Sequence, residues 1–354
     1  MGLKILHSAD WHLDSPFAGF DDSQRALLKQ EQQSIPGKTA QLCRREKCDL
    51  MLLAGDIFDG ESTRETVEAL KKALSECGAR VFITPGNHDF CAPGSVWLEE
   101  NWPENVYVFT GGLEAITIPD LNCRVYGAGY QSMDSAPLLE NFRAEGSEKY
   151  CIAVLHGDPT RKDSPYCPIT AQQVRDSGLQ YLALGHIHKA GAFHAGGTLC
   201  AWPGCPMGRG WDETGEKGVC IVTVEDSASL RAVALDTIRF HELKADISSG
   251  AEAALEKILP PAGSRDFFRV TLTGSGEADI ARLTQRFSAV PNLTLRDETL
   301  PPLDIWGDTG ADTLEGVYFR LLREAMEADP DSREEIQLAA EISRKLLEGR
   351  EVTL

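Results

Sequence analysis

The stretch of sequence that decides the fold is residues 3–12, which read LKILHSADWH. Its apolar and β-branched residues are typical of a buried strand, and this strand leads directly into Asp10 and His12. Residues two apart on an extended segment point the same way, so both side chains can reach the same ion or neighbouring ions. The stretch therefore predicts a buried strand that ends at a metal site.

Four further strand-like runs end in clusters of the same kind. Each is followed by a short segment that combines glycine with aspartate, asparagine or histidine: residues 55–59 read GDIFD, residues 86–89 read GNHD, residues 156–158 read HGD and residues 185–188 read GHIH. A single cluster of this kind is more often a structural turn. Because the carboxyl ends of strands converge in α/β folds, five clusters together predict one shared site.

The predicted donors are carboxylate, imidazole and amide groups, without thiolate. This set suits manganese, iron or zinc better than a structural zinc site, and it suits magnesium or calcium less well. Five of the eight histidines lie in these clusters. The other three are expected to be structural or exposed: His7, His194 and His241.

The composition is that of an ordinary globular protein, with 354 residues, 42% of them apolar and 25% charged. Disordered, collagen-like and small disulfide-rich proteins are thereby excluded. A net charge of −19 argues against a protein that coats nucleic acid, but not against an enzyme that meets phosphates through bound metal. With neither a signal-peptide pattern nor a long apolar run, we expect a cytoplasmic protein with reduced cysteines and no membrane association.

Strand-like and helical patterns alternate through the first two thirds of the chain, which predicts an α/β architecture with sheet at its centre. The last strand-like stretch of this part is residues 230–240. Residues 244–310 are expected to form a small α+β domain. Residues 311–354 are expected to form a helical segment, whose second helix begins with a capping box of Ser332 and Glu335. The apolar stripes of these helices leave two interpretations open, which are packing on their own domain and docking of a partner's helix or coiled coil.

The ordered motifs Asp-x-His, Gly-Asp, Gly-Asn-His-Asp, His-Gly and Gly-His-x-His resemble those of the calcineurin-like metallophosphoesterases. Within that family the chain is similar to the SbcD branch of DNA-repair exonucleases, particularly its YhaO-like members. This closer similarity rests on residues 6–17 (LHSADWHLDSPF), 55–59 (GDIFD), 203–209 (PGCPMGR) and 216–219 (EKGV). The resemblance is specific over about residues 3–225 and is much looser beyond residue 245.

The resemblance implies a four-layer α/β/β/α sandwich over residues 1–243, with the smaller α+β domain as a cap. It also implies two divalent metal ions, with manganese as the first choice and iron or zinc as alternatives. Carried over position by position, the family pattern implies these metal ligands: Asp10, His12 and His188 for one ion, Asn87, His156 and His186 for the other, and Asp56 as the bridge between them.

Other residues near the ligands have expected roles of their own. The family pattern implies that His88 contacts the scissile phosphate and protonates the leaving oxygen, and we expect Asp89 to orient His88. Asp59 departs from relatives that carry histidine at this position, so we expect it to act behind the ligands rather than on DNA. Asp158 is expected to be a turn residue and Trp11 a core residue.

The resemblance implies a two-metal DNA exonuclease of the SbcD type, in which a metal-activated water attacks the phosphodiester. It further implies a homodimer that works with an SbcC-like coiled-coil ATPase. Two alternatives stay open: a metallophosphatase or phosphodiesterase for a small phosphoester or cyclic nucleotide, and a non-catalytic scaffold for an ATPase. Cationic residues near the motifs are candidate contacts to flanking phosphates: Arg161, Lys162, Lys189, Arg209 and Lys217.

Overall fold

The computed structural model describes residues 2–235, 237–301, 303–350 and 352. The chain divides into two compact units, Met1–His241 and Glu242–Leu354. The expected domain boundaries at residues 243 and 310 stay predictions. Residue 1 of the first expected domain and residues 351, 353 and 354 of the expected helical segment lie outside the described residues. Among the residues that are described, no helix has the length and apolar character needed to cross a membrane.

Strands and helices alternate along the N-terminal unit, as the sequence predicts. The strands are β1 (Leu3–Ser8), β2 (Leu50–Ala54), β3 (Arg80–Thr84), β4 (Val106–Val108), β5 (Glu114–Ile118), β6 (Cys123–Gly127), β7 (Tyr150–His156), β8 (Tyr181–Gly185), β9 (Gly191–Ala195), β10 (Thr198–Trp202), β11 (Gly218–Val224) and β12 (Ala228–Ala234). The helices are α1 (Asp22–Gln33), α2 (Ile35–Glu46), α3 (Arg64–Ser75), α4 (Val96–Glu99) and α5 (Ala171–Asp176), with a 3-10 turn at Pro119–Leu121.

These strands form two six-stranded sheets. The first has the order β12-β11-β1-β2-β3-β4, in which β1 to β4 run parallel and β11 and β12 are antiparallel additions at one side. The second has the order β5-β6-β7-β8-β10-β9, with β6, β7, β8 and β10 parallel and an antiparallel strand at each edge. In both sheets the middle strands are parallel, which is typical of strands covered on both faces.

The two sheets pack face to face over one buried apolar cluster. Ile5 and Leu52 of the first sheet lie in the same cluster as Val125 and Ile152 of the second. Side chains on the opposite face of β2 are also fully buried, and helices α1 to α3 form the layer there. Beyond the second sheet, helix α5 contributes Val174 to a further cluster together with loop residues. The result is the expected four-layer α/β/β/α sandwich, with a thin outer layer on the second sheet.

The C-terminal unit has a small core of its own. Strands β13 (Phe240–Asp246), β14 (Phe267–Thr273) and β15 (Leu293–Asp297) form one sheet, and helices α6 (Ala251–Ile258) and α7 (Ile280–Arg286) contribute side chains to its apolar cluster. The single strand expected over residues 230–240 is wrong, because β12 ends at Ala234 and β13 begins only at Phe240.

Two helices, α8 (Leu314–Ala328) and α9 (Arg333–Leu347), end the described part of this unit. Phe319 of α8 is fully buried, and the Arg344 guanidinium of α9 lies 4.1 Å from the centre of its ring. The expected capping box is wrong, because the Ser332 hydroxyl donates to Asp329 at 2.8 Å and makes no capping bond to α9. Part of each apolar stripe stays exposed, notably at these residues: Leu314, Leu321, Leu338 and Leu346.

Candidate metal centre

The predicted site residues follow the carboxyl ends of five strands in the two facing sheets. Asp10 and His12 follow β1, Asp56 follows β2, and His156 is the last residue of β7. Two backbone hydrogen bonds join the first two loops, because the Asp10 amide donates to the Gly55 carbonyl at 3.0 Å and the His12 amide to the Asp56 carbonyl at 2.9 Å. The parallel strands therefore bring together side chains that are far apart in the sequence.

Several donors sit on unusual backbone. Left-handed φ values occur at four of the predicted ligands: Asp10 (53°), His12 (44°), Asp56 (50°) and His186 (92°). Residues other than glycine seldom adopt this conformation, and they do so mainly at functional sites where the surroundings hold them. Gly185 is a second constraint, since a Cβ there would collide with the carbonyl oxygen of Ala54. Both features indicate that the backbone at this edge of the sheets directs the side chains of the predicted ligands toward one another.

The first group of donors comprises Asp10, His12 and His188, whose ligand atoms lie within 4.8 Å of one another. The Nε2 atoms of His12 and His188 are 3.1 Å apart. Their Nδ1 atoms face carboxylates, at 3.2 Å from Asp59 Oδ1 and 2.5 Å from Glu213 Oε1. An ionised carboxylate only accepts, so each Nδ1 carries a proton, and the two Nε2 atoms are left facing each other as the nitrogens that could ligate a cation.

Both carboxyl groups are held in the ionised form. Hydrogen bonds from His12 and then His88 lower the pKa of Asp59 well below its usual value. Burial alone would raise the pKa of Glu213, but the hydrogen bond from His188 and the charge of Arg209 outweigh that effect and lower it. The assignment of the protons to the Nδ1 atoms therefore agrees with the charges around them.

The second group of donors surrounds His156. Its Nδ1 lies 2.9 Å from the carbonyl oxygen of Ala54, which can only accept, so this nitrogen carries the proton. Its Nε2 faces Asn87 Oδ1 at 3.0 Å and Asp56 Oδ2 at 3.3 Å. Burial alone would lower the pKa of His156, but the charge of Asp56 outweighs that effect and raises the pKa to about 9, so Nε2 would have to give up a proton before it could bind a cation. Nδ1 of His186 lies 3.3 Å from the same oxygen of Asn87. Here too, potential ligand atoms converge on one another.

Converging acceptors of this kind fit a bound cation. Lone pairs that face each other inside a protein repel unless a positive charge lies among them. Asp10 Oδ2 is buried and has no hydrogen-bond partner among the described residues. Asp56 Oδ2 lies 3.7 Å from His12 Nε2 and 3.3 Å from His156 Nε2, so it reaches both groups. Carboxylate, imidazole and amide oxygen together suit divalent cations of the manganese, iron and zinc type.

His88 lies at the open side of this cluster, with 45% of its side chain exposed. Its ring is in edge contact with that of His12, at a centroid distance of 4.8 Å. Its Nδ1 lies 3.2 Å from Asp59 Oδ1, and this hydrogen bond raises the pKa of His88 against the effect of partial burial. A half-exposed imidazole whose pKa is raised by Asp59 thus lies at the solvent side of the metal ligands.

Asp89 does not take the role expected of it. Its Oδ1 accepts from the Gly86 amide at 2.7 Å, and its Oδ2 accepts from the amides of Ile57 and Phe58 at 2.9 and 3.1 Å. Burial and the nearby charge of Asp56 raise the pKa of Asp89 to about 7. The prediction that Asp89 orients His88 is wrong, because its carboxyl is used to join two loops and Asp59 contacts His88 instead.

Glu213 is the main residue that the sequence does not reveal. It is buried, and Arg209 Nη2 lies 3.2 Å from its Oε1, while Arg209 Nη1 lies 3.8 Å from Asp59 Oδ1. Arg209 therefore links the two carboxylates that face the histidines, rather than standing free for a phosphate. The only sequence signal for Glu213 is its place between two segments that resemble the SbcD branch.

Residues outside the centre agree with the remaining expectations. His7 is buried between Tyr181 Oη at 2.7 Å and the Leu184 carbonyl at 3.1 Å, and burial lowers its pKa to about 3. Trp11 is buried and donates to the Ser8 hydroxyl at 2.7 Å. Asp158 Oδ1 accepts from the backbone amides of the next turn, as a turn residue does.

Known proteins resemble this chain over the same region. The family model described as calcineurin-like phosphoesterase matches residues 3–190. The metallophosphoesterase YhaO of Bacillus subtilis (strain 168) is 34% identical over 245 residues, which cover 63% of this chain and 57% of YhaO. The SbcD component of the nuclease SbcCD of the same organism is 25% identical over 62% of this chain and 66% of its own length. The chain thus spans less than two thirds of either relative.

Two more distant matches extend the comparison. The SbcD component of the Staphylococcus epidermidis nuclease SbcCD is 22% identical over 307 residues, which cover 77% of this chain and 79% of that protein. Among solved structures, a dimetal phosphatase from Danio rerio matches with a TM-score of 0.45 and 14% identity, over 66% of this chain and 96% of that one.

Proposed function

The chain belongs to the calcineurin-like phosphoesterases, and on that premise we propose that it is a two-metal DNA exonuclease of the SbcD type. The observation that carries the proposal is the set of converging acceptors beside the half-exposed His88. As a metallophosphoesterase the chain uses divalent metal. Manganese is proposed first, because imidazole, carboxylate and amide oxygen together suit it.

The proposed ligands follow the two groups of donors. One cation would be held by Asp10, His12 and His188, and the other by Asn87, His156 and His186, with Asp56 available to both. When bound, a pair of divalent cations lowers the pKa of a water molecule and neutralises charge on the phosphate oxygens.

His88 is the proposed acid of the reaction. Its Nδ1 faces Asp59, so in this proposal the proton for the leaving oxygen of the substrate comes from Nε2 of the half-exposed ring. Asp59 and Glu213 do not touch substrate in this proposal. They position His88, His12 and His188 through hydrogen bonds to the Nδ1 atoms.

A polymeric phosphodiester is favoured by the surface beside His188. A cleft of about 300 Å³ there is lined by His188, Lys189 and Lys217. Neither lysine is paired with a carboxylate of the described residues, and Glu216 in the same lining is engaged by Arg239 at 3.2 Å. A cleft with two available cations next to the metal ligands suits a phosphate that flanks the one being cut. The similarity to SbcCD nucleases points the same way.

The proposed partner rests on that same similarity. We propose that the chain works as a homodimer with an SbcC-like coiled-coil ATPase that docks on helices α8 and α9. Their exposed leucines suit an apolar partner helix. Leu321→Glu together with Leu346→Glu should weaken co-purification of the co-expressed ATPase and leave phosphodiester hydrolysis intact. Unchanged co-purification would refute the docking site.

The proposed activity is tested with the full chain after removal of metal by a chelator. End-labelled single-stranded and double-stranded DNA are incubated with added manganese, magnesium or zinc. We expect manganese-dependent degradation that His88→Ala lowers by about 100-fold or more, as loss of a general acid does. His194→Ala is the matched control, since His194 is an exposed histidine outside the site.

Two other results would contradict the proposal. If DNA stays intact both with the chain alone and with the co-expressed ATPase, while bis(p-nitrophenyl) phosphate is hydrolysed, the substrate is a small phosphoester or cyclic nucleotide. If neither compound is hydrolysed with any metal, the chain is a non-catalytic scaffold for its partner.

A further inference from the structure

His186 differs from the other proposed histidine ligands in what holds its ring. His12 and His188 present Nδ1 to carboxylates, and His156 presents Nδ1 to a backbone carbonyl. Nδ1 of His186 instead lies 3.3 Å from Asn87 Oδ1, on the side of the proposed cation, and its Nε2 has no hydrogen-bond partner among the described residues. A ligating histidine usually donates from its far nitrogen to a group that fixes the ring. The ring of His186 therefore lacks the hydrogen bond that orients the other three.

The ring of Tyr166 lies against that of His186. The two rings are tilted by 41° to each other, at a centroid distance of 4.7 Å. The His186 ring also meets His156 edge-on at 5.2 Å, and His156 meets Tyr130 edge-on at 5.4 Å. Tyr166 is partly exposed and Tyr130 is buried, so this row of four rings leads from the surface into the interior. Aromatic rings at such distances attract each other beyond the effect of buried area.

The loop that carries Tyr166 is itself fixed beside the metal centre. It comprises residues 157–169 and follows directly on His156, the last residue of β7. The Tyr166 carbonyl accepts from the amide of the second loop residue at 3.0 Å. A Cβ at Gly157 would come within 2.7 Å of the carbonyl oxygen of Cys167, which itself has a left-handed φ of 44°. Both ends of the loop are thus held against each other, and the Tyr166 ring has a fixed frame.

We propose, resting on the proposed function, that Tyr166 is a positioning residue that holds Nδ1 of His186 toward the cation it would share with Asn87 and His156. Without this neighbour the imidazole can turn to other rotamers, and binding of the cation would first have to restore the ligating one. The Tyr166 hydroxyl has no hydrogen-bond partner among the described residues, so the effect is assigned to the ring. The consequence is tighter binding of one cation only.

The test is a calorimetric titration of the metal-free full chain with manganese. His186→Ala identifies the binding step to which His186 contributes. Tyr166→Ala should weaken that same step by about tenfold, the lower end of the range for residues that support a metal ligand, and leave the other step unchanged. Tyr166→Phe keeps the ring and should bind both cations as the original chain does.

A second measurement separates positioning from contact with the substrate. The loss of bis(p-nitrophenyl) phosphate hydrolysis in Tyr166→Ala should be recovered by excess manganese, because a positioning residue acts through occupancy of the site. Tyr107→Ala is the matched control, since Tyr107 is a partly buried tyrosine of β4 outside the donor groups, and it should leave both binding steps unchanged. If Tyr166→Ala fails to fold, Tyr166→Leu, which keeps apolar volume without a flat ring, should weaken the same step.

The outcomes separate the two proposals. Unchanged binding in Tyr166→Ala overturns the positioning role, and so does a loss in Tyr166→Phe as large as that in Tyr166→Ala. A rate that stays low in excess manganese means that Tyr166 acts on the substrate, which also overturns it. All three leave the nuclease in place. DNA that stays intact with and without the co-expressed ATPase, while two cations bind, overturns the nuclease and leaves the positioning role. A chain that binds fewer than two cations overturns both.

Discussion

The two sides of the metal centre hold their histidines in different ways. On the carboxylate-backed side, His12 and His188 present Nδ1 to Asp59 and Glu213. On the carbonyl-backed side, His156 presents Nδ1 to the backbone oxygen of Ala54. A carboxylate makes the imidazole that it accepts from more basic than a neutral carbonyl does. We therefore expect the carboxylate-backed side to bind its cation more tightly.

The two sides also differ in what sets their geometry. Asp59 and Glu213 are side chains on loops, so conservative substitution changes them one at a time. The Ala54 carbonyl belongs to the end of β2 and lies against Gly185 of β8, in the facing sheet. Side chains thus set the geometry of the carboxylate-backed side, whereas the distance between the backbones of β2 and β8 sets that of the carbonyl-backed side.

The largest effect on metal affinity is expected at Asp56, which lies between the two sides of the metal centre. Asp56→Asn removes the negative charge that both groups of acceptors share. Loss of a supporting residue alone typically costs 10–100-fold in metal affinity, so loss of the shared carboxylate should exceed about 100-fold on both sides. Metal content after dialysis measures the effect. Retention of either ion at full occupancy would show that Asp56 does not join the sides.

Gly185→Ala should abolish cation binding on the carbonyl-backed side alone. The added Cβ would meet the Ala54 oxygen, which must shift and withdraw the acceptor of His156. Overpacking of this kind costs about 1–3 kcal/mol in the free energy of unfolding. Thermal unfolding measures this loss of stability. A manganese titration should show that the weaker binding step is lost. A variant that binds both ions as before would disprove the proposed role of backbone spacing.

Glu213→Gln should weaken the carboxylate-backed side alone. The neutral amide no longer makes the His188 imidazole more basic, so the stronger binding step should weaken by about 10–100-fold. Calorimetric titration with manganese separates the two steps. Glu216→Gln serves as the control, because Glu216 pairs with Arg239 at the surface. Equal weakening of both steps would mean that the sides are not independent.

The smallest effect on chemistry is expected from Asp89→Asn. Its carboxyl accepts from three backbone amides, and asparagine offers one acceptor oxygen in place of two. We expect a loss of about 1–3 kcal/mol in the free energy of unfolding, with only a modest fall in activity. Denaturant unfolding and phosphodiester hydrolysis are compared. Collapse of activity at unchanged stability would restore the orienting role that the structure contradicts.

Much of the fold follows from local patterns in the sequence. The buried strand predicted within residues 3–12 is present as β1, because runs of apolar and β-branched residues that lead into polar turns identify buried strands well. The pattern is less reliable at residues 230–240. Strand β12 is half-exposed there, and no clear turn signal separates it from β13. At α9 the pattern predicts the start of the helix but not its cap, since Ser332 stands at the N-terminus while its hydroxyl bonds back to Asp329.

The candidate site, too, could be predicted from the sequence only in part. Its donors could be named from the sequence because each follows directly on a strand, and parallel strands bring such positions to one edge. By itself, the sequence determined the family, the layered fold and the inventory of donors. Only the tertiary structure decided which carboxylate stands behind which imidazole, so that Asp59 rather than Asp89 contacts His88 and Glu213 faces His188. The physical reason is that hydrogen bonds between loops depend on the spacing of distant strands, whereas a sequence pattern encodes only local backbone geometry and burial.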